Sequence, residues 1–261
     1  MIKLKNLFWW LLLSMVLQFT VQPVCGMEFE AFVVWSQARD SKCELKVSRK
    51  MNQRWSVPET IEKSERIMLS PSLSMMKNGN LSVFWTEFDG VHGRIHYKIW
   101  RNGVRGPRRS LVTTTYSDFA PASIVDPQGV IWLVWAGTDE TDDDIYFSRW
   151  INNHWQKPKM VNTNDAWPDI LPSIIIDSQN QISASWLGYD GDAYVRYSSS
   201  WTGKKWSHET VSDGMSTAES IIEAYLPDFI PEEGHGRIFF GASKPFRTFI
   251  KRSAKKPETT R

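Results

Sequence analysis

Evenly spaced tryptophans are the feature that most limits how this chain can fold. Four of them follow one another at steps of 50, 50 and 51 residues, and a Pro stands fourteen residues before each of the last three. Such regular spacing indicates internal repeats, each of which buries its apolar face only against its neighbours. The markers are Trp35, Trp85, Trp135 and Trp186, preceded by Pro71, Pro121 and Pro172. The sequence therefore predicts an array of similar units.

Each unit is predicted to contain four β-strands, named A to D in chain order. In the third repeat, apolar runs separated by turn residues place the strands at 122–125, 130–135, 145–150 and near 159–162. Strand B is apolar almost throughout, which indicates burial on both faces. Four-stranded units of about 50 residues, stacked face to face around an axis, are typical of a β-propeller. The predicted fold class is all-β, a β-propeller of about five four-stranded blades.

The first and last repeats are incomplete. Repeat one begins at strand B, and repeat five, from Leu226 to about Arg252, has its apolar strand at 238–240 and lacks strand D. Two arrangements remain open: the termini share a blade, or four closed blades carry an added hairpin. Open blade edges expose unpaired backbone groups and offer a route to an oligomer.

A second motif recurs after strand C and carries a family resemblance. Ser148-x-Trp150-x-Asn152-x-x-Trp155 and Ser199-x-Trp201-x-Gly203-x-x-Trp206 resemble the Asp-box of sialidases and related propellers, S-x-D-x-G-x-x-W, a turn between the third and fourth strands of a blade. The resemblance implies a degenerate sialidase-like propeller over roughly residues 30 to 250. The closing aromatics Trp55, Trp155 and Trp206 are expected to pack between blades. In every copy the Asp is replaced, by Lys50, Trp100, Trp150 and Trp201.

The N-terminus has the pattern of an export signal. Lys3 and Lys5 precede an uncharged run from Leu7 to Val21, and small residues end at Gly26. An uncleaved membrane anchor is the alternative, but the apolar run is shorter than the ~20 residues of a spanning helix. We therefore expect a signal peptide over 1–26, a single propeller domain over 27–253 and a basic tail over 254–261. The mature protein is expected to be secreted or periplasmic, with no membrane span after cleavage.

Charge argues against nucleic acid as a partner. Removal of Lys3 and Lys5 leaves 29 basic and 29 acidic residues, so the mature chain is close to neutral. Nucleic-acid binding needs a clustered basic face. The basic residues that do cluster lie at the end of the chain, where a solvated tail is the simpler interpretation.

Polar residues that do not follow the repeat concentrate in two kinds of connection. In a four-stranded meander, the D-to-A and B-to-C connections emerge on one face, here called the loop face. Its carboxylates and aromatics are suited to sugar recognition, since acids accept hydrogen bonds from hydroxyls and rings stack on a pyranose. Individual acidic residues are also compatible with simple solvation. The candidate ligand-binding residues are Glu87, Asp89, Tyr116, Asp118, Asp139, Trp167, Asp169, Asp190 and Asp192.

One acidic loop also raises the question of a metal. Asp139, Asp142 and Asp144 offer hard oxygen ligands of the kind that Ca²⁺ prefers. The run lacks the spaced alternation of an EF-hand, so a solvated loop is the main alternative. No other cofactor is indicated by the sequence.

Catalysis is the rival to binding. Asp118, Asp169 and Glu223 stand just before strand A of successive repeats, and paired carboxylates serve glycoside hydrolases as acid and base or nucleophile. The arginine-containing motif that the sialidase resemblance would imply near the N-terminus has no match. The favoured interpretation is a propeller without catalytic activity that binds a glycan or an extracellular protein, and the alternative is a glycoside hydrolase.

Overall fold

The computed structural model describes nine segments of the chain and shows only β-structure in them. For residues 235–239 and 247–250 it describes the backbone alone. The predicted signal peptide, Glu223 and the basic tail lie outside the described residues. The segments are 31–39, 42–76, 79–101, 103–113, 115–139, 141–163, 165–211, 235–239 and 247–250.

The described strands form four antiparallel sheets. The first contains β1 (Ala31–Arg39), β2 (Lys42–Met51), β3 (Arg54–Trp55) and β4 (Glu59–Ser64), with β19 (His235–Phe239) and β20 (Arg247–Ile250). The second contains β5 (Ile67–Met75), β6 (Leu81–Phe88), β7 (Gly93–Arg101), β8 (Val104–Arg105) and β9 (Arg109–Ser110). The third contains β10 (Ser117–Val125), β11 (Ile131–Thr138), β12 (Asp143–Ile151), β13 (His154–Trp155) and β14 (Lys159–Met160). The fourth contains β15 (Asp169–Ile176), β16 (Ile182–Tyr189), β17 (Tyr194–Ser200) and β18 (Thr210–Val211).

The C-terminal hairpin belongs to the first sheet. β19 pairs antiparallel with β1, in the place that strand A takes in the other sheets, and β20 pairs with β19. The apolar run at 238–240 was expected to be strand B of a fifth repeat, but its described residues, 238 and 239, lie in β19 and join the sheet that the N-terminal strands begin. This arrangement agrees with the alternative in which the two ends of the chain share a blade.

The marker tryptophans occupy equivalent places, as the repeat predicts. All four lie in strand B and are at most 1% exposed. Each pairs across to the residue eleven positions later in strand C: Trp35 with Lys46, Trp85 with His96, Trp135 with Tyr146, and Trp186 with Tyr197. The predicted burial of strand B on both faces holds in the second and third blades, where β6 is buried from Ser82 to Glu87 and β11 from Ile131 to Gly137. In the fourth blade only alternate residues of β16 are fully buried, so the prediction is wrong there.

A β-bulge explains the recurring proline. In β5, β10 and β15 the pairing with strand B shifts around the Pro, and the residue before it has a positive φ of 47°, 51° and 51°. Pro has no N–H to donate, so a bulge is one of the few interior strand positions that accept it. The residues before the prolines are Ser70, Ala120 and Leu171.

Neighbouring sheets pack face to face in chain order. One buried apolar cluster lies between the first and second sheets, one between the second and third, and one between the third and fourth. As expected, Trp155 packs on Phe84 and Tyr97 of the preceding sheet, at ring-centroid distances of 5.8 and 5.7 Å. Trp206 packs in the same way on Phe147, at 5.5 Å. The sheets are therefore blades of a β-propeller.

The motif serine has a structural reason to recur. Ser48, Ser148 and Ser199 each donate a hydrogen bond across the C-to-D turn to the carbonyl oxygen eight residues later, at 2.7, 2.6 and 2.9 Å. In the second blade Lys98 takes this place and donates instead to the carbonyl oxygen of Ile61 in the first blade, at 2.9 Å. The turn hence survives without its Asp.

The strand registers confirm the predicted division into two faces. The first residues of strand A pair with the last residues of strand B, as in Ser117 with Thr138, so D-to-A and B-to-C connections share the loop face. The A-to-B and C-to-D turns share the opposite face, here called the turn face. Within the described part of the chain, no helix has the length and apolar character needed to cross a membrane.

Candidate functional site

Three of the predicted acidic residues shape the B-to-C loops. One Oδ1 atom in each loop accepts hydrogen bonds from the backbone N–H groups two and three residues later, at 3.0 and 2.8 Å for Asp89, 3.0 and 3.4 Å for Asp139, and 3.0 and 2.9 Å for Asp190. The backbone hydrogen bonds lower the pKa of Asp89 and Asp190, whereas the Thr141 hydroxyl lowers the pKa of Asp139 most, followed by the backbone N–H groups. Such side-chain turns are local structure, and their recurrence four residues after the marker Trp was visible in the sequence.

Asp118 is locked into the third blade. Its carboxylate is 0% exposed and accepts hydrogen bonds from Trp135 Nε1 at 2.8 Å, from Thr113 Oγ1 at 2.7 Å and from Thr115 Oγ1. Arg94 Nη1 lies 3.8 Å from Asp118 Oδ2. Burial raises the pKa of Asp118 although these hydrogen bonds and the Arg94 charge lower it. These contacts favour a structural role, because the carboxylate has no path to a ligand.

Asp169 holds the equivalent position in the fourth blade with a different environment. Its Oδ2 accepts a hydrogen bond from Asn162 Nδ2 at 2.5 Å, and the same nitrogen donates to Asp144 Oδ1 at 2.8 Å. Burial, followed by the negative charge of Asp165, raises the pKa of Asp169 to about 7, with Glu209 adding to the effect and contacts with Asn162 and Trp186 opposing it. The structure thus joins two buried carboxylates through one amide.

The acidic loop before β12 does not converge on a point. Asp139 caps its own turn, whereas Asp144 is directed to Asn162. Burial raises the pKa of Asp142 and Asp143, and repulsion from a neighbouring carboxylate adds to it. Among the residues that the structure describes, no three His, Cys, Asp or Glu side chains are grouped in a way that could hold a metal ion.

Glu87 lies in a buried ionic cluster between the first and second blades. Its carboxylate is 4% exposed and accepts hydrogen bonds from Arg108 at 2.8 Å and from Ser64, the last residue of β4, at 2.9 Å. Arg66 Nη1 and His96 Nε2 lie 3.5 and 3.9 Å from Glu87 Oε1, the oxygen that also accepts from Arg108. Burial opposes ionisation, but Arg108, Ser64 and His96 outweigh it and lower the pKa of Glu87. Sequence reasoning missed Arg108 and His96, because neither follows the repeat.

Tyr116 contributes an aromatic surface between the second and third blades. It is 41% exposed, and its ring meets the His92 ring at a centroid distance of 4.5 Å and an angle of 70°. Arg94 donates hydrogen bonds to the carbonyl oxygens of Tyr116 and Thr115. The guanidinium therefore holds the D-to-A loop in place.

Among the residues that the structure describes, three aromatic rings of the loop face group together at the fourth blade. Trp167 and Tyr194 are 46% and 49% exposed, and Tyr189 lies between them at centroid distances of 5.3 and 5.4 Å. The three rings, here called the aromatic platform, meet at angles of 62° and 60°. Trp167 was predicted as a ligand-binding residue. Tyr189 and Tyr194 were not, although their place beside the Asp190 turn could have identified them.

Short contacts fix the platform. The backbone N–H of Trp167 donates to Asp165 Oδ1 at 2.8 Å, and the Tyr189 hydroxyl donates to the carbonyl oxygen of Gly191 at 3.1 Å. A Cβ atom at Gly191, where φ is +100°, would lie 3.5 Å from the Trp167 ring. That distance is an ordinary van der Waals contact, so it is the backbone conformation that favours a glycine at this position. Asp192 stands in the same turn, and its backbone N–H donates a hydrogen bond to Asp190 Oδ1.

Comparison with known proteins supports the fold. No protein-family model matches the chain, and no curated protein matches it. A crystal structure of a protein of unknown function from Dyadobacter fermentans DSM 18053 has a TM-score of 0.52 at 12% identity, covering 86% of this chain and 84% of that one.

Two other solved structures are similar at lower scores. An endo-arabinase from Bacteroides thetaiotaomicron VPI-5482 has a TM-score of 0.47 at 11% identity, covering 86% and 94% of the two chains. A Hadza microbial sialidase has a TM-score of 0.45 at 11% identity, covering 80% of this chain and 54% of that one. At these identities the similarity concerns the fold alone. The all-β propeller is confirmed, and the Asp-box assignment stays a prediction.

Proposed function

We propose that this protein is a carbohydrate-binding β-propeller that holds a neutral saccharide on its loop face without hydrolysing it. The observation that carries the proposal is the aromatic platform, a half-exposed group of three rings bordered by carboxylates.

We further propose that the chain acts outside the cytoplasm, secreted or periplasmic, because residues 1–26 have the order of charged, apolar and small regions of a signal peptide. An extracellular protein remains the other class of partner for this face.

The platform has the chemistry that a sugar ring needs. Large rings left in water forgo the free energy of burial, so a fixed and exposed indole is a ready surface for an apolar partner. A pyranose has an apolar face that stacks on such a ring, while its hydroxyls need hydrogen-bond acceptors around the edge. The Trp167 backbone and the Tyr189 hydroxyl are held by hydrogen bonds in the free protein, and the Trp167 ring packs on the Tyr189 ring, so little order has to be gained on binding.

The charges around the platform favour a neutral ligand. Asp165, Asp190 and Asp192 border the rings, and the charges of Asp165 and Glu209 already raise the pKa of Asp169. An anionic sugar would meet the same repulsion. Hydroxyl groups, by contrast, donate well to ionised carboxylates.

Access argues against catalysis. A general acid must come within hydrogen-bond distance of the glycosidic oxygen, and a nucleophile must reach the anomeric carbon. Asp118 is 0% exposed and Asp169 is 7% exposed. Asp169 also lies closely against strand B, since a Cβ atom at Gly188 would fall 2.3 Å from its Oδ1.

One observation favours the hydrolase alternative. Asp169 has a pKa of about 7, suited to a general acid at neutral pH, and it shares the Asn162 amide with Asp144. Hydrolysis by this pair would require both carboxylates, which are 2% and 7% exposed, to become accessible. Incubation of the purified protein with neutral oligosaccharides, followed by mass spectrometry of the products, separates the two functions. Turnover that Asp169→Asn abolishes would establish the hydrolase.

Binding is tested on an array of neutral and acidic oligosaccharides with the Trp167→Ala variant. We expect a neutral saccharide to be bound by the native chain, and the variant to lose about 1–3 kcal/mol of binding free energy, the range for a large apolar side chain. The melting temperature should change little, because the ring is half exposed. Val112→Ala is the matched control, since Val112 also lies in a D-to-A connection and is 83% exposed. Equal affinities for the two variants would contradict the proposal.

A further inference from the structure

The turn face contains a cleft that the aromatic platform does not explain. It has a volume of about 460 Å³ and lies between the second and third blades, where the A-to-B and C-to-D turns of both blades meet. We propose that this cleft is a second binding site, which takes a saccharide unit carrying a carboxylate or a sulfate group. The proposal is independent of the one for the loop face, because the two sites use different residues on opposite faces.

One charged side chain lies in the cleft wall. Arg101, at the end of β7, is exposed, and its Nη2 donates a hydrogen bond to Asn153 Oδ1 at 2.8 Å across the two blades. An arginine has five N–H donors in a planar fork that matches carboxylate and sulfate groups. Among the described residues that line the cleft there is no aspartate or glutamate. The charge of the site is therefore opposite to that of the loop face.

The scaffold itself does not call for an arginine at this position. The residues that occupy it in the other repeats are Met51, Ile151 and Thr202. All three end a strand C or begin the turn after it, and none carries a charge. Arg101 is hence a departure from the repeat, and such departures are where a repeat protein places recognition.

The rest of the wall suits the remaining parts of a sugar. Ile99, Val130 and the partly buried Trp150 supply apolar surface, while Asn80, Gln128 and Asn152 supply side-chain amides. Amides both donate and accept, which is what vicinal hydroxyls require. An inorganic anion alone would use the guanidinium and leave this mixed wall without a partner.

The wall is held in place before any ligand arrives. Trp150 meets the Trp155 ring at 5.3 Å and the Tyr97 ring at 6.1 Å. The Gln128 and Val130 N–H groups donate to Asp126 Oδ1 at 3.0 and 2.9 Å, which fixes the A-to-B turn.

The C-to-D turn is equally defined. Asn152 and Asn153 have φ values of 52° and 65°, the left-handed conformation that asparagine tolerates in a two-residue hairpin turn. Aspartate tolerates the same conformation, so Asn152→Asp places a negative charge in the cleft while keeping the turn.

Three probes at equal concentration test the site by calorimetry: a trigalacturonate, a sulfated galactose disaccharide and a neutral galactotriose. We expect at least one acidic probe to bind, the choice between the two identifying the anionic group, and the neutral probe not to bind at this cleft. Arg101→Gln should weaken binding by about tenfold or more through the lost charge-assisted hydrogen bonds. Asn152→Asp should weaken it similarly through repulsion, and Trp167→Ala should leave it unchanged.

Lys204→Gln is the matched control, since it removes one positive charge from the corresponding turn of the fourth blade. Circular dichroism and melting curves show whether each variant is folded. The proposal is overturned if neither acidic probe binds, if Lys204→Gln weakens binding as much as Arg101→Gln, or if inorganic sulfate binds as tightly as the sulfated sugar. Loss of binding in Trp167→Ala would place the acidic sugar on the loop face and would equally overturn it.

Discussion

The third and fourth blades place an aspartate at the same point and put it to different use. Asp118 and Asp169 both stand three residues before the bulge proline and seventeen before the marker tryptophan. In the third blade Trp135 Nε1 donates to Asp118, together with two threonine hydroxyls. In the fourth blade Trp186 Nε1 makes no hydrogen bond of ordinary geometry within the described residues, and Asp169 shares an amide with Asp144 instead.

Equivalent positions in the repeat therefore place a side chain at the same point of the blade without giving it the same role. The three donors on Asp118 make it a structural link between strands A and B. Asp169 has one strong donor and two nearby negative charges, so its proton is held to about neutral pH. Asp169, unlike Asp118, is close to the aromatic platform in sequence, since it stands two residues after Trp167 and pairs with Gly188, the residue before Tyr189. The second blade goes further, because Met68 takes this position there.

The largest expected effect is on the pH dependence of stability. Asp169 has a pKa of about 7 in the folded state against an ordinary value of 3.8. A carboxyl whose pKa is raised by folding contributes stability that is fully present below about pH 4 and lost as the pH rises through about 7. Replacing Asp169 by Asn removes this contribution, so the difference between the native and Asp169→Asn curves should change by on the order of 4 kcal/mol between pH 4 and pH 8. Urea unfolding at several pH values measures it, and parallel curves would show that Asp169 titrates normally.

The next effect separates the two aspartates at a single pH. Asp118→Ala should lower the free energy of unfolding by about 3 kcal/mol, since a buried indole N–H and two hydroxyls lose their acceptor. Asp169→Ala at pH 7 should cost about 1 kcal/mol, because only Asn162 loses an acceptor there. Denaturant unfolding of both variants gives the comparison directly. If Asp169→Ala were the more damaging change, the distinction between the blades would be wrong.

A smaller effect concerns the tryptophans themselves. Trp135→Phe breaks the hydrogen bond to Asp118, whereas Trp85 Nε1 has no hydrogen-bond partner in the described part of the structure. Trp135→Phe and Trp85→Phe leave a similar space, but only the first also breaks a hydrogen bond. Trp135→Phe should therefore be the more destabilising by about 1 kcal/mol. Thermal unfolding of the pair tests this, and equal losses would mean that the Asp118 bond adds nothing to packing.

Much of the fold could be predicted because it depends on spacing. The interval of the tryptophans fixed the repeat, the apolar strand B predicted burial on both faces, and the strand order assigned the acidic loops to one face. The pairing of β19 with β1 could not be chosen in advance, since the apolar run at 238–240 fits strand A as well as strand B. A turn is formed by residues that are neighbours in the sequence, whereas strand pairing joins distant segments. The sequence therefore predicts the turns better than it predicts which strands pair.

The site was predicted less completely, for a physical reason. The Asp118 and Trp135 pair has a signal, the seventeen-residue interval shared with Asp169 and Trp186, which proline spacing alone did not reveal. The contacts of Glu87 with Arg108, and the cleft around Arg101, come from residues that break the repeat. Nothing in their local sequence indicates which distant side chain they will meet, since Arg108 meets Glu87 within its own blade and Arg101 meets Asn153 in the next one.

Binding of a neutral saccharide to the aromatic platform of the fourth blade can be observed through the indole N–H signals in a ¹H–¹⁵N NMR spectrum. Trp167→Phe assigns one signal, and Trp150 and Trp135 serve as internal controls on the turn face and in the core. Titration with a neutral saccharide selected on the array should move the Trp167 signal and leave the signals of Trp150 and Trp135 in place. An unchanged Trp167 signal at saturation, with a different indole responding, would show that the saccharide does not bind at the aromatic platform.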